Sequence, residues 1–183
     1  MAEQRRLART VSLVGLMGAG KTAVGRALAE RLGVRFADSD DAIEEAAAMS
    51  IPEIFELYGE AFFRDREAEV VARLLDGPPM VLSTGGGAWM SEATRRQIER
   101  RATALWLDAP VELLWQRVRH RDTRPLLRNA DPRGTLERLH RERAPIYAAA
   151  PLRLAVRAED DIAETAEAAL RVLSGAPGML EAA

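Results

Sequence analysis

Gly15-Leu16-Met17-Gly18-Ala19-Gly20-Lys21-Thr22 matches the phosphate-loop pattern G-x-x-x-x-G-K-[ST]. Such a run can also be an ordinary glycine-rich turn, so its flanks decide. Before it, Thr10-Val11-Ser12-Leu13-Val14 reads as a short buried strand with β-branched residues. After it, Ala23, Val24, Ala27, Leu28 and Leu32 recur at helical spacing, and Gly33 is placed to end the helix. A strand, a glycine turn and a helix start together make an anion cradle. Gly18 and Gly20 let amides around Ala19 turn inward, and the helix N-terminus adds partial positive charge. Lys21 is the only lysine among 26 basic residues. A compact ammonium fits between neighbouring phosphates where the planar arginine fork does not. Thr22 offers a hydroxyl to Mg²⁺.

Outward from the loop, strand and helix patterns alternate. Val34–Ala37 reads as a second strand ending at Asp38-Ser39-Asp40. Asp41–Ala48 is helical, and Ser50, with Pro52 and Glu53, starts another helix that Gly59 breaks. Ala61–Leu75 is a longer helix, and Met80–Ser83 a third strand running into Gly85-Gly86-Gly87. Ser91–Arg100 is helical, Thr103–Leu107 a fourth strand, and Pro110–His120 a helix. Residues 121–134 carry Pro125 and Pro132 among arginines and read as a mobile loop. Thr135–Tyr147 is a helix interrupted near Pro145. Leu152–Val156 is a fifth strand, Asp160–Leu173 the last helix, and 175–183 a flexible tail. This order predicts one α/β domain over 1–183, with a five-stranded parallel sheet between two helical layers. Ligands then belong at the carboxyl ends of the strands.

Composition limits the partners. The 183 residues are 48% hydrophobic and 30% charged, with net charge −2 and no cysteine. There is no general basic surface for nucleic acid, and no disulfide or thiolate metal site. Arg5, Arg6 and Arg9 before an apolar stretch, with Ala27-Leu28-Ala29, imitate a signal peptide, but Lys21 and the glycines interrupt it. No stretch is long enough to span a membrane, so a cytoplasmic enzyme is expected. His120 and His140 sit in arginine-rich helical surroundings and read as surface residues.

Six elements occur in order: the loop at 15–22, Asp38-x-Asp40, Phe63-Arg64-x-x-Glu67, Gly85-Gly86-Gly87, Arg124-Pro125-Leu126-Leu127 and Arg143-x-Pro145-x-Tyr147. The set resembles the shikimate kinase family, a group of phosphate-loop kinases with a nucleoside-monophosphate-kinase-like fold. The resemblance implies transfer of the ATP γ-phosphoryl group to the 3-hydroxyl of shikimate, in the route to chorismate and the aromatic amino acids. It implies ATP bound by Gly18, Ala19, Gly20, Lys21 and Thr22, with Arg117 on adenine and Arg124 on the transferring phosphate. Thr22 and Asp38 would hold Mg²⁺. Asp40 would orient or deprotonate the acceptor. Arg64 and Arg143 would take the carboxylate, Glu67 would hold Arg64, Gly86 and Gly87 would meet hydroxyls, and Phe55 and Phe63 would wall the ring. It implies substrate-binding helices at about 39–76 and a lid at about 121–134.

From the residues themselves, Ser39, Asp40 or Asp41 could instead cap a helix, and Arg64 with Glu67 could be a surface ion pair. Asp108, ending an apolar strand, is a rival metal carboxylate. The family pattern gives the metal to Asp38, which leaves Asp108 to cap the helix near Pro110 and Ser83 at the end of the third strand. A gluconate-type kinase would share the loop and lid; a non-catalytic sensor of ATP and shikimate would usually carry a fused partner, for which the residues before Thr10 are too few. The expected molecule is a monomer acting on a small molecule, without nucleic-acid or membrane partners.

Overall fold

The structure, a computed structural model, describes residues 5–120 and 125–182. Its elements are β1 (Arg5–Leu7), β2 (Thr10–Val14), α1 (Lys21–Leu32), β3 (Phe36–Asp38), α2 (Ser39–Ala47), α3 (Ile51–Leu75), β4 (Val81–Ser83), α4 (Glu92–Arg101), β5 (Ala102–Asp108), α5 (Val111–Val118), α6 (Pro132–Tyr147), β6 (Leu152–Ala155), α7 (Ile162–Gly175) and β7 (Leu180–Ala182). The five-stranded sheet runs in the order β3-β4-β2-β5-β6, and all its pairings are parallel. The expected sheet is therefore present. β2 lies at its centre with every residue buried, as a strand covered on both faces must be. Sequence order reverses between β4 and β5 across β2, and the phosphate loop leaves the carboxyl end of that strand, where such a sheet opens a crevice.

The helix boundaries follow local chemistry. Ser50 and Glu53 form the expected capping box at the start of α3. The chain kinks at Gly59 (φ 81°, ψ 175°) and then continues as helix, so the break is a bend inside α3. Asp108 does not cap α5; Pro110 stands at that position without a side-chain bond. The loop after α5 is shorter than expected. Asp131 accepts from the Gly134 N–H at 3.0 Å with Pro132 next to it, so these residues open α6 rather than prolong the loop. Pro145 falls in the last turn of α6, where one lost backbone bond is tolerated, and the helix reaches Tyr147 without interruption.

The C-terminal tail is not a frayed end. Leu180–Ala182 pairs antiparallel with Arg5–Leu7, an element the sequence reading did not contain. Met179 and Leu7 are buried beneath it, and the Ala8 N–H donates to the Met179 carbonyl at 3.0 Å. Gly178 (φ 71°) turns the chain back after α7. Burial of two apolar side chains and a backbone ladder explain why this segment is ordered.

Candidate active site

A cavity of about 910 Å³ opens at the carboxyl ends of the strands, a size suited to small-molecule ligands. One wall is the phosphate loop. Gly18 (φ 83°) and Gly20 (φ 96°) take left-handed conformations that a side chain would strain. The buried Lys21 ammonium donates to the carbonyls of Gly15 at 2.8 Å and Leu16 at 3.2 Å. Half-buried Arg117, reaching from α5, donates to the carbonyls of Gly18 and Ala19 at 3.1 and 3.3 Å, and burial lowers its pKa.

Beside Lys21, the Thr22 hydroxyl donates to Asp38 Oδ2 at 2.7 Å and lies 3.5 Å from the Ser83 hydroxyl. Asp38 Oδ1 accepts the Asp40 N–H at 2.9 Å. Asp38 is thus the cap of α2, in place of Ser39, Asp40 or Asp41, and it serves the loop threonine with its other oxygen. Ser39 is fully buried and accepts the Gly85 N–H at 3.1 Å. Asp108 is excluded from this group: the Arg153 Nε donates to it at 2.9 Å on the far side of β5, away from the cavity lining.

Asp40 does not end the strand, as its alternation with Asp38 suggested; it lies in the first turn of α2 and lines the cavity. A Cβ built on Gly85 would fall 2.7 Å from Asp40 Oδ1 and 3.1 Å from Glu67 Oε1, so the first glycine fits between two carboxyl groups. Glu67 is fully buried; its Oε2 accepts from Arg64 at 2.6 Å, and its Oε1 has no hydrogen-bond partner among the described residues. Burial raises the Glu67 pKa; Arg64 opposes that rise, and Asp40 adds to it. Arg64 in turn packs against Gly87, where a Cβ would lie 2.7 Å from its Nη1. That is a close approach only glycine permits. From α6, Arg143 donates to the Gly86 carbonyl at 3.4 Å, and the buried Tyr147 hydroxyl donates to the same oxygen. Asp40, Arg64, Glu67 and Arg143 thus surround the glycine run, while Gly86 lies close to the loop, its Cβ position 3.7 Å from the Gly15 carbonyl oxygen.

The sequence model of the shikimate kinase family matches residues 17–174. The chain is 57% identical over 175 residues to a shikimate kinase of Ruegeria pomeroyi, covering 96% of this chain and 90% of that protein. It is 51% identical to one of Cereibacter sphaeroides, covering 96% and 88%. The chain belongs to the shikimate kinase family. Among solved structures, the shikimate kinase of Acinetobacter baumannii in complex with shikimate superposes with TM-score 0.87 at 39% identity, over 91% of this chain and 93% of that one. A gluconokinase of Sinorhizobium meliloti reaches TM-score 0.60 at 18% identity, which shows the shared fold only.

As a member of the shikimate kinase family the chain is an ATP-using phosphotransferase. The residues expected from sequence fall into three groups. Gly18, Ala19, Gly20, Lys21, Thr22, Asp38, Asp40, Gly86 and Arg117 line the one cavity. Arg64, Glu67, Gly87 and Arg143 adjoin its glycine edge. Phe63 is buried in the core with the Arg64 guanidinium 5.0 Å from its ring centre, and Phe55 lies tilted against it with ring centres 4.7 Å apart. Phe63 backs Arg64, and neither ring is in the cavity lining. Arg124 lies outside the described residues. His120 is exposed as expected, whereas His140 is partly buried.

Ser39, Ser83 and Tyr147 take roles that the sequence did not assign them: Ser39 and Tyr147 hold the glycine run, and Ser83 faces Thr22. At the far end of the cavity, Val156, Asp160, Asp161, Ile162 and Thr165 form a wall around the start of α7. A signal existed for that wall: Asp161-x-x-Glu164 is a capping box, which marks a helix N-terminus beside the last strand. Tyr147 closes the Arg143-x-Pro145-x-Tyr147 element, but nothing local gives its contact with Gly86.

Proposed function

We propose that this cavity brings ATP and shikimate together and transfers the γ-phosphoryl group to the shikimate 3-hydroxyl. The observation that carries the reading is the meeting of two unlike recognition surfaces at Gly86. An anion cradle stands on one side; two guanidiniums and a carboxylate stand on the other. Carboxylate recognition needs Arg64 and Arg143, because paired N–H groups fix both position and ring orientation. Asp40 beside Gly85 orients the attacking hydroxyl and accepts its proton. The Gly86 and Gly87 amides suit the ring hydroxyls, since glycine lets a ligand approach the backbone closely.

On the ATP side, Lys21 exchanges its loop carbonyls for phosphate oxygens, and Arg117 with the Val156–Thr165 wall takes the base. Thr22, with Asp38 and Ser83 each within hydrogen-bond range of its hydroxyl, presents hard oxygen donors, which fits Mg²⁺ held mainly by phosphates and water. Bound there, Mg²⁺ would neutralise the phosphate oxygens. Arg124, which lies outside the described residues, would add positive charge at the transferring phosphate. Phosphoryl transfer then rests on positioning and charge, without a covalent enzyme intermediate.

We read the protein as a monomer serving two small molecules in the cytoplasm. Among the described residues, no helix is long and apolar enough to cross a membrane. Coupled ADP production tests the reading. ADP formation is expected with shikimate and absent without it; equal turnover of gluconate, or tight binding of both ligands with no ADP over hours, refutes it.

A further inference from the structure

Four of the six backbone polar atoms of the glycine run are held by named partners. The Gly85 N–H is held by Ser39, the Gly85 carbonyl by the Ala88 N–H at 3.0 Å, and the Gly87 carbonyl by the Met90 N–H at 3.0 Å. The Gly86 carbonyl is held from α6. Its two lone pairs receive the Tyr147 hydroxyl and, more distantly, Arg143. The Gly86 carbonyl and the Gly87 N–H belong to one planar trans peptide, so whatever fixes the first directs the second to the opposite side. We propose that Tyr147 is a positioning residue for the acceptor: by holding the Gly86 carbonyl it aims and polarises the Gly87 N–H toward a shikimate hydroxyl. The inference rests on the acceptor site described above.

Three features suit Tyr147 to this task. It is buried and stacked on Trp106 with ring centres 6.1 Å apart, so its hydroxyl has little freedom. A second bond ties the same helix end to the same turn, from the Trp89 indole N–H to the Ile146 carbonyl at 2.9 Å. Burial pushes the phenol pKa up to about 12, with Arg143 and Arg64 opposing, so the group keeps the proton it donates. When Arg143 turns to a carboxylate ligand, Tyr147 still holds the peptide. A hydrogen bond accepted at the carbonyl also strengthens the donor at the other end of the peptide.

Tyr147→Phe keeps the ring and removes only the hydroxyl. The expected result is a rise of about tenfold in KM for shikimate, as for a lost hydrogen bond that leaves a buried acceptor unpaired, with kcat and KM for ATP within about twofold. A KM for shikimate within about twofold of wild type, with only a lower Tm, overturns the inference and leaves Tyr147 a packing residue. Wild type measured alongside separates the levels. If it makes no shikimate-dependent ADP, the functional reading fails and takes this inference with it. If it is active and Tyr147→Phe matches it, this inference alone fails. Should Tyr147→Phe not fold, 3-fluorotyrosine labelling of the unmutated chain decides. The chain has two tyrosines, and Tyr58→Phe assigns the exposed one. The Tyr147 fluorine signal is expected to move on adding shikimate and to stay in place with gluconate; a signal that ignores shikimate overturns the proposal.

Discussion

The two walls of the cavity are built in opposite ways. The phosphate wall is one contiguous stretch, Gly15–Thr22, whose shape comes from backbone conformation and a helix start. The acceptor wall is assembled from α2, α3, the turn after β4 and α6, and its shape comes from side chains packed against glycines. The phosphate wall recognises a charge that every nucleotide carries, so a local motif suffices. In the proposed reading the acceptor wall recognises one ring with one carboxylate, and only tertiary contacts can hold its groups at fixed separations. Damage to the first wall should therefore abolish turnover with any acceptor. Damage to the second should raise the acceptor requirement and leave ATP untouched.

The largest expected effect lies where the walls meet. Asp40→Asn keeps the shape beside Gly85 and removes the proton acceptor. kcat should fall by about 10²–10⁴-fold while ATP affinity stays within about twofold. Steady-state kinetics with a nucleotide-binding titration check both, and near-normal kcat removes Asp40 from the mechanism. Next comes Lys21→Arg, which conserves charge but not shape. A fall of about 10²–10³-fold in kcat is expected, comparable with loss of one preorganised donor to the developing charge. Full activity would contradict the point-charge argument. Arg64→Lys should be milder and confined to the acceptor. It should lower kcat/KM for shikimate by about 10–100-fold with KM for ATP unchanged, since a single ammonium replaces a planar fork. A parallel rise in KM for ATP would show that the walls are not independent.

This contrast also explains what the sequence made legible. The loop, the central strand and the Ser50–Glu53 box are local patterns, and each stands where its residues predict. Arg64 and Glu67 look locally like a solvated ion pair; the burial of Glu67 and the packing of Arg64 against Gly87 are properties of the fold. Tyr147 stood in a quoted element without a role, because its partner is a carbonyl 61 residues earlier in the chain. Asp38 was legible as a site residue but not as a cap, since both tasks use the same carboxylate through different oxygens. The tail misled for a related reason: Gly175–Ala183 has the composition of a frayed end, and only Arg5–Leu7 at the opposite terminus orders it.

The finest test of the comparison is Glu67, whose charge the acceptor wall needs and the core resists. Its ordinary pKa near 4.5 is raised by burial. The folded protein therefore binds this proton more tightly than the unfolded chain does. As pH rises above about 4.5 and through the raised value, ionisation becomes more costly in the folded state, so this group subtracts stability at neutral pH. Glu67→Gln removes that dependence. Its Tm is expected to match or exceed that of wild type near pH 7, and the difference should shift toward wild type as pH falls toward 4.5. Its KM for shikimate should still rise several-fold, because Arg64 loses the anion that holds it at 2.6 Å. Thermal melts across pH with kinetics on the same samples read both quantities. A variant that is less stable than wild type at every pH by a constant amount would show that Glu67 serves the core rather than the substrate wall.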